Sequence, residues 1–182
     1  MLPINEINKV MQDADCLFTA KQVQQAMDIM AEKINHDLAE CNPIFLAVVS
    51  GAMIPIGHLF TRLNFPLELD YIHATRYDGE IRGKELKWLV EPRVDFINRT
   101  IVIVDDILDE GYTLEAIIKY CQVNGASDVK SVVLVEKDHD RGVSVDVNYV
   151  GLKVPDRYVF GYGMDYKGYL RNANGIFAVK GL

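Results

Sequence analysis

Residues 101–114 read Ile-Val-Ile-Val-Asp-Asp-Ile-Leu-Asp-Glu-Gly-Tyr-Thr-Leu, and this stretch limits the possible folds more than any other. The β-branched run 101–104 suits a strand covered on both faces, as the strands of a parallel sheet are. Ligands of such sheets gather beyond the carboxyl ends of the strands, where Asp105, Asp106 and Asp109 fall. Gly111 lets the backbone curl tightly, and an apolar helical pattern follows from Thr113 through Leu114, Ile117, Ile118 and Cys121. The amides at such a helix start have no intrahelical acceptor and can point at an anion. Carboxylates that accept from hydroxyls thus stand beside amides that donate to phosphate, a pairing that suits a phosphorylated sugar.

The surrounding chain repeats the same grammar. Thr19-Ala20-Lys21-Gln22 has the form of a capping box, and Val23, Met27, Met30, Ile34 and Leu38 follow at helical spacing. An apolar run at 45–49 is closed by Ser50-Gly51-Ala52, after which Ile54, Ile56, Leu59, Phe60 and Leu63 outline another helix. Residues 67–73 and 129–135 read as further strands. Strand, helix, strand in this order predicts an α/β fold, a parallel sheet with flanking helices. Residues 78–87 are polar and alternate in charge, which predicts a mobile lid loop, with a solvated hairpin as the plain alternative. Beyond Glu136 the texture becomes charged, and residues 149–182 carry short strand-like runs among aromatics and glycines, read as a small C-terminal hood. One domain over 1–182 is expected, with its core at about 43–136 and a hood that includes some N-terminal residues. A chain of this length with 49% hydrophobic residues can bury one full core.

Charge and cysteine usage exclude several classes. A net charge of −7 argues against nucleic acid and against an acidic membrane, so a polyphosphate ligand would need local donors and a divalent cation. Cys16, Cys41 and Cys121 are too widely spaced for a Cys-x-x-Cys pair, which predicts neither a disulfide framework nor a zinc knuckle and suits a reducing cytoplasm. No basic region leads into an apolar run at the N-terminus, and no apolar stretch approaches bilayer length, so a cytoplasmic chain without membrane partner is expected. His36, His58, His73 and His139 share no metal-ligand spacing and receive no catalytic role, although His73, on a strand near the lid, is placed to help position it.

The segment from Val104 to Leu114 resembles the phosphoribosyl pyrophosphate signature of type I phosphoribosyltransferases, in the form found in hypoxanthine-guanine phosphoribosyltransferases. A second segment, Val154-Pro155-Asp156-Arg157-Tyr158-Val159-Phe160-Gly161-Tyr162-Gly163-Met164-Asp165-Tyr166 followed by Tyr169 and Arg171, is similar to the purine-recognition end of that family. The likeness runs from about Phe45 to the C-terminus and implies a type I phosphoribosyltransferase fold. It also implies purine salvage: the 5-phosphoribosyl group passes from phosphoribosyl pyrophosphate to hypoxanthine or guanine.

The resemblance assigns roles residue by residue. Asp105 and Asp106 would bind the ribose hydroxyls, directly or through Mg²⁺, and the amides of Asp109, Glu110, Gly111, Tyr112 and Thr113, with the Thr113 hydroxyl, would hold the 5′-phosphate. Asp109 would be the general base for the purine N7 proton, its plainer alternative being a helix cap. Lys137 would donate to the 6-oxo group, and an ammonium, having no acceptor, selects a carbonyl over the amino group of adenine. Tyr158 would stack on the base and the Val159 backbone would read its edge. Asp165 would meet Mg²⁺ near the pyrophosphate, which Arg171 contacts, and oxygen ligands of this kind suit that cation. Ser50 and Gly51 occupy the pyrophosphate turn, where the family often carries a lysine, an arginine or Asn-Gly-Gly; here Ser50 and Ala52 depart from that pattern. Arg76-Tyr77 stands where the family's lid commonly has Ser-Tyr. The family usually forms dimers or tetramers, which implies a homo-oligomer. Two other readings fit parts of the pattern. A regulator could bind the sugar pyrophosphate or a nucleotide without turnover on the same fold, and a phospho-acceptor receiver domain also combines strand-end aspartates with a later lysine, though its acidic pair follows the first strand.

Overall fold

In the computed structural model, which describes residues 2–76, 86–140 and 142–181, the β-branched run lies at the middle of a six-stranded sheet. The elements are α1 (Ile4–Asp13), β1 (Asp15–Thr19), α2 (Ala20–Leu38), β2 (Ile44–Val48), α3 (Met53–Phe60), β3 (Glu68–Arg76), β4 (Leu86–Val90), β5 (Thr100–Leu108), α4 (Tyr112–Val123), β6 (Asp128–Asp138), β7 (Tyr149–Pro155), β8 (Val159–Phe160) and β9 (Gly175–Ala178). The large sheet has the order β4-β3-β2-β5-β6-β7; all neighbours are parallel except β4, which runs antiparallel on β3. A second, antiparallel sheet of order β1-β9-β8 covers one end.

Burial on both faces explains the sequence of the central strands. Val102 and Val104 of β5 pack with Met27, Ile34 and Leu59 of α2 and α3, whereas Ile101 and Ile103 pack with Leu114, Ile117 and Cys121 of α4. Helix α2 begins as predicted: the Thr19 hydroxyl accepts from the Gln22 amide at 3.4 Å and the Gln22 side chain accepts from the Thr19 amide at 2.9 Å, so two otherwise orphaned donors are satisfied. Its stripe of Val23, Met27, Met30, Ile34 and Leu38 is buried. Ile56 is buried in this core, and Ile54 and Phe60 pack against it while partly exposed.

The structure departs from the sequence reading at three places. Helix α1 and strand β1 precede the first element that was anticipated, and β1 belongs to the end sheet through pairing with β9, a contact between the two ends of the chain that local periodicity does not encode. Residues 86 and 87, read as part of the lid, open the antiparallel edge strand β4. The rest of that loop, Tyr77 included, lies outside the described residues, and Arg76 closes β3. Residues 149–155, assigned to the hood, instead form the parallel edge strand β7; only Tyr149 and Val154 are buried there, and such a half-covered edge shows a weak hydrophobic period. Among the described residues no helix is long and apolar enough to cross a membrane.

Ile103 is fully buried on β5 between β2 and β6. Ile103→Ala should lower the unfolding free energy by about 2–5 kcal/mol, the usual cost of emptying a core position, measured by urea denaturation.

Candidate active site

Strand β5 does not stop at the acidic pair. It continues to Leu108, still paired with β6, so Asp105 and Asp106 are held within a sheet rather than on a loop. Asp105 Oδ1 accepts from the Asp106 amide and Asp106 Oδ1 from the Ile107 amide, both at 2.9 Å. Burial pushes both carboxyl groups above the ordinary carboxylate range, Asp105 well above it, with the neighbouring Asp106 charge adding to the effect. For Asp106 the opposing influences are its contact with Asp105 and the Arg171 guanidinium, whose Nη1 lies 3.9 Å from Oδ2.

Two close backbone approaches assemble the rest. A Cβ at Gly51 would collide with the Asp106 carboxylate, and a Cβ at Gly163, whose φ is +110°, would collide with the Gly51 carbonyl. Only glycine lets the turn after β2, the acidic pair and the turn at 161–164 meet this closely. The Val49–Ser50 peptide at this turn is cis. From the connection between β8 and β9 Arg171 then reaches in: Nη2 pairs with Asp165 Oδ1 and Nη1 donates to the Gly163 carbonyl, both at 2.6 Å. The other Asp165 oxygen accepts from the Gly168 amide at 2.6 Å.

Helix α4 has Gly111 at its N-cap, in the left-handed region with φ 86°, and no side chain caps it. The alternative that Asp109 serves as a cap is therefore not what the structure has. Asp109 lies instead between two basic groups, with Lys137 Nζ 3.2 Å from Oδ2 and His139 Nε2 3.1 Å from Oδ1. The Glu110 carboxylate accepts from the Gly142 amide at 3.0 Å, which leaves its backbone rather than its side chain for a ligand.

These segments enclose a cavity of about 490 Å³. Ser50 and Gly51 line it at one side, Asp105 and Asp106 on β5 and Asp109 just beyond it, Lys137 near the end of β6, Val159 from β8, and Tyr158, Asp165 and Arg171 from the segments flanking β8. Tyr158 is exposed and its ring meets Tyr166 edge-on at 5.5 Å, while Val159 is buried in β8. Glu110, Gly111, Tyr112 and Thr113 adjoin the cavity at the start of α4 without lining it. His73, which the sequence placed near the lid, lines it, as do Ala74 of β3 and Met164, which the sequence did not single out.

Asp105, Asp106 and Asp165 face the same cavity but do not converge on one point. Among the described residues, the carboxylate and histidine atoms that gather within 4.8 Å belong to Asp109, Glu110 and His139. The Lys137 ammonium already supplies a positive charge there. His139 is the residue sequence reasoning passed over, and a signal existed: it lies two positions beyond Lys137, which continues the alternation of β6 towards the same side.

Residues 14–167 match the family model described as phosphoribosyl transferase domain. The chain is 26% identical over 157 residues to hypoxanthine-guanine phosphoribosyltransferase of Bacillus subtilis, covering 86% of this chain and 87% of that protein. It is 29% identical over 169 residues to the bifunctional protein TilS/HprT of Listeria innocua; this is 92% of the chain but 25% of the relative, so the chain spans about a quarter of the bifunctional relatives' length. A solved hypoxanthine phosphoribosyltransferase from Staphylococcus aureus superposes with a TM-score of 0.88 at 25% identity, over 93% of this chain and 94% of that one. A solved hypoxanthine-guanine-xanthine phosphoribosyltransferase gives a TM-score of 0.85 at 26% identity, over 93% and 99%.

The buried acidic pair has a consequence for stability. Its folded-state proton affinity is raised, so the pair costs nothing at a pH below the ordinary carboxylate range and progressively destabilises the fold as pH rises through the raised folded values. Asp105→Asn should therefore melt higher than the parent protein at pH 8 in the absence of divalent cations, with the gap narrowing as pH falls towards about 4. Thermal melts across that range check it.

Proposed function

The chain belongs to the phosphoribosyl transferase domain family, and on that premise we propose that it transfers the 5-phosphoribosyl group from phosphoribosyl pyrophosphate to hypoxanthine or guanine, releasing pyrophosphate and IMP or GMP in purine salvage. The observation that carries this reading is the pair Asp109 and Lys137, 3.2 Å apart, at the rim of the cavity that also holds the buried acidic pair. One is a proton acceptor and the other a donor suited to a 6-oxo group.

In this reading Asp105 and Asp106 accept from the ribose hydroxyls, and the amides at the start of α4 hold the 5′-phosphate. Tyr158 offers its exposed ring to the purine while Val159 reads the ring edge through its backbone. Asp109 takes the N7 proton as the purine nitrogen attacks the anomeric carbon and the pyrophosphate leaves. High basicity is not required of it, because the nitrogen grows acidic as the bond forms; placement matters more. Arg171, held by Asp165 and the Gly163 carbonyl, stabilises the departing pyrophosphate next to the turn at Ser50 and Gly51. Two adjacent carboxyl groups whose charged form burial disfavours are a donor set that Mg²⁺ suits, with Asp165 nearby. When bound, Mg²⁺ would supply counter-charge to the sugar hydroxyls and pyrophosphate. A sensor that only binds the sugar pyrophosphate needs no base at the purine end, so Asp109 beside Lys137 favours turnover. We further take the chain to act in the cytoplasm as a homodimer or homotetramer, which exposed Met53, Leu69 and Tyr71 support as apolar surface available for association.

The test is incubation with phosphoribosyl pyrophosphate, Mg²⁺ and, separately, hypoxanthine, guanine, xanthine and adenine, following nucleotide formation by ultraviolet absorbance. IMP and GMP should form and AMP should not; binding without turnover of any base would reject the reading. Asp109→Asn should keep nucleotide affinity and lose turnover by about a hundredfold, the scale of a general base. Lys137→Gln should relax discrimination against 6-amino purines, and an equal loss for every base would remove Lys137 from that role.

A further inference from the structure

The β6 terminus carries a second basic side chain that the reaction as described does not use. His139 is 12% exposed, and its Nε2 is buried 3.1 Å from Asp109 Oδ1 without the alignment of a hydrogen bond. Its Nδ1 lies 3.2 Å from the Asp140 carbonyl. A carbonyl can only accept, so Nδ1 carries the proton in that contact. In a neutral ring Nε2 would then be a bare lone pair facing a carboxylate oxygen, two acceptors at hydrogen-bond distance. Only the imidazolium turns this contact into an attraction.

We propose that His139 is a positioning residue for Asp109, holding one carboxylate oxygen through an imidazolium Nε2–H while Lys137 holds the other. The inference rests on the reading of Asp109 as the base that takes the purine proton.

Charged groups surround this ring. Among the described residues, those facing it are Asp109 and Glu110 from the β5–α4 loop, Asp140 beside it and Lys137 near the end of β6. Glu136, paired with Lys153 at 3.3 Å, and Asp146 share the adjoining cavity of about 440 Å³, and Asp156 stands across Lys137 at 3.4 Å. The ring is tied to its own loop by the Nδ1 contact with the Asp140 carbonyl, and that loop folds over the start of α4, with the Gly142 amide on Glu110 and Val143 and Val145 against Gly111. A side chain so held can fix the plane of the Asp109 carboxylate, and hydrogen bonds of this type are often poorly aligned until substrate arrives.

A positioning role has a signature that simple packing lacks, a loss of kcat that another donor at the same position restores. The full chain, His139→Ala and His139→Gln are compared for kcat and KM with hypoxanthine under saturating Mg²⁺. His139→Ala should reduce kcat about tenfold, the scale of a misplaced reacting group, with KM changed less than about twofold. His139→Gln, whose amide can donate to the Asp109 carboxylate, should recover much of kcat. Unchanged kcat in His139→Ala, or an equal loss in both variants, would overturn the proposal while leaving the assigned reaction intact. A parent chain that makes no nucleotide from any base would overturn the assigned reaction and this inference with it, since no proton would then be transferred.

Discussion

The rest of the site depends on holding two adjacent carboxyl groups, Asp106 buried and Asp105 partly so, near the end of the central strand. Asp105 and Asp106 are held there by a β5 that is covered on both faces and paired on both edges, so they cannot relax into solvent as loop residues would. Their desolvation is unfavourable and is offset only in part by backbone amides and Arg171. A site of this kind has charge demand to spare, and hydroxyl donors and a hard cation are what satisfy it. Gly51 and Gly163 follow from the same constraint, because any side chain at either position would occupy the space the acidic pair and its neighbouring turns require.

The connection between β8 and β9 contributes electrostatics and also holds its own parts in place. Arg171 is fixed between Asp165, the Gly163 carbonyl and Asp106, which orients a guanidinium fork before any anion arrives. The turn that presents Gly163 is anchored from behind by Tyr162, whose hydroxyl accepts from Gln24 of α2 at 2.5 Å and whose ring lies 5.3 Å from that of His58 of α3. Arg62 extends the network by donating to the Gln24 side chain and to Asp28. The two helices on one face of the large sheet thus brace the turn that meets the acidic pair. At the purine end the same economy applies to Asp109, whose two oxygens face Lys137 and His139 from a single strand end.

How much of this was legible in the sequence varies by the range of the interaction that decides it. The central strands and α2 were readable because their periods and the Thr19 capping box are local signals that burial on two faces enforces. Edge elements were not: β4 and β7 have one covered side, and β1 acquires its place only by pairing with β9 from the far end of the chain. Within the site, the order of residues along β5 and α4 announced carboxylates beside helix-start amides, whereas Met164 and His139 entered the picture only when separate segments were brought to one wall.

The sequence by itself determined the chemistry available, namely an acidic strand end, a glycine turn into a helix, a lysine after the next strand, and an arginine near the C-terminus, because these are properties of residue type and spacing. Tertiary structure alone decided which of these groups touch. Desolvation of Asp105 and Asp106, the grip of Asp165 on Arg171 and the seat of Asp109 between Lys137 and His139 all arise from distances of a few ångströms between segments far apart in the chain. Charge interactions and desolvation depend on those distances and on the exclusion of water, and neither quantity exists until the sheet and its cover have closed on each other.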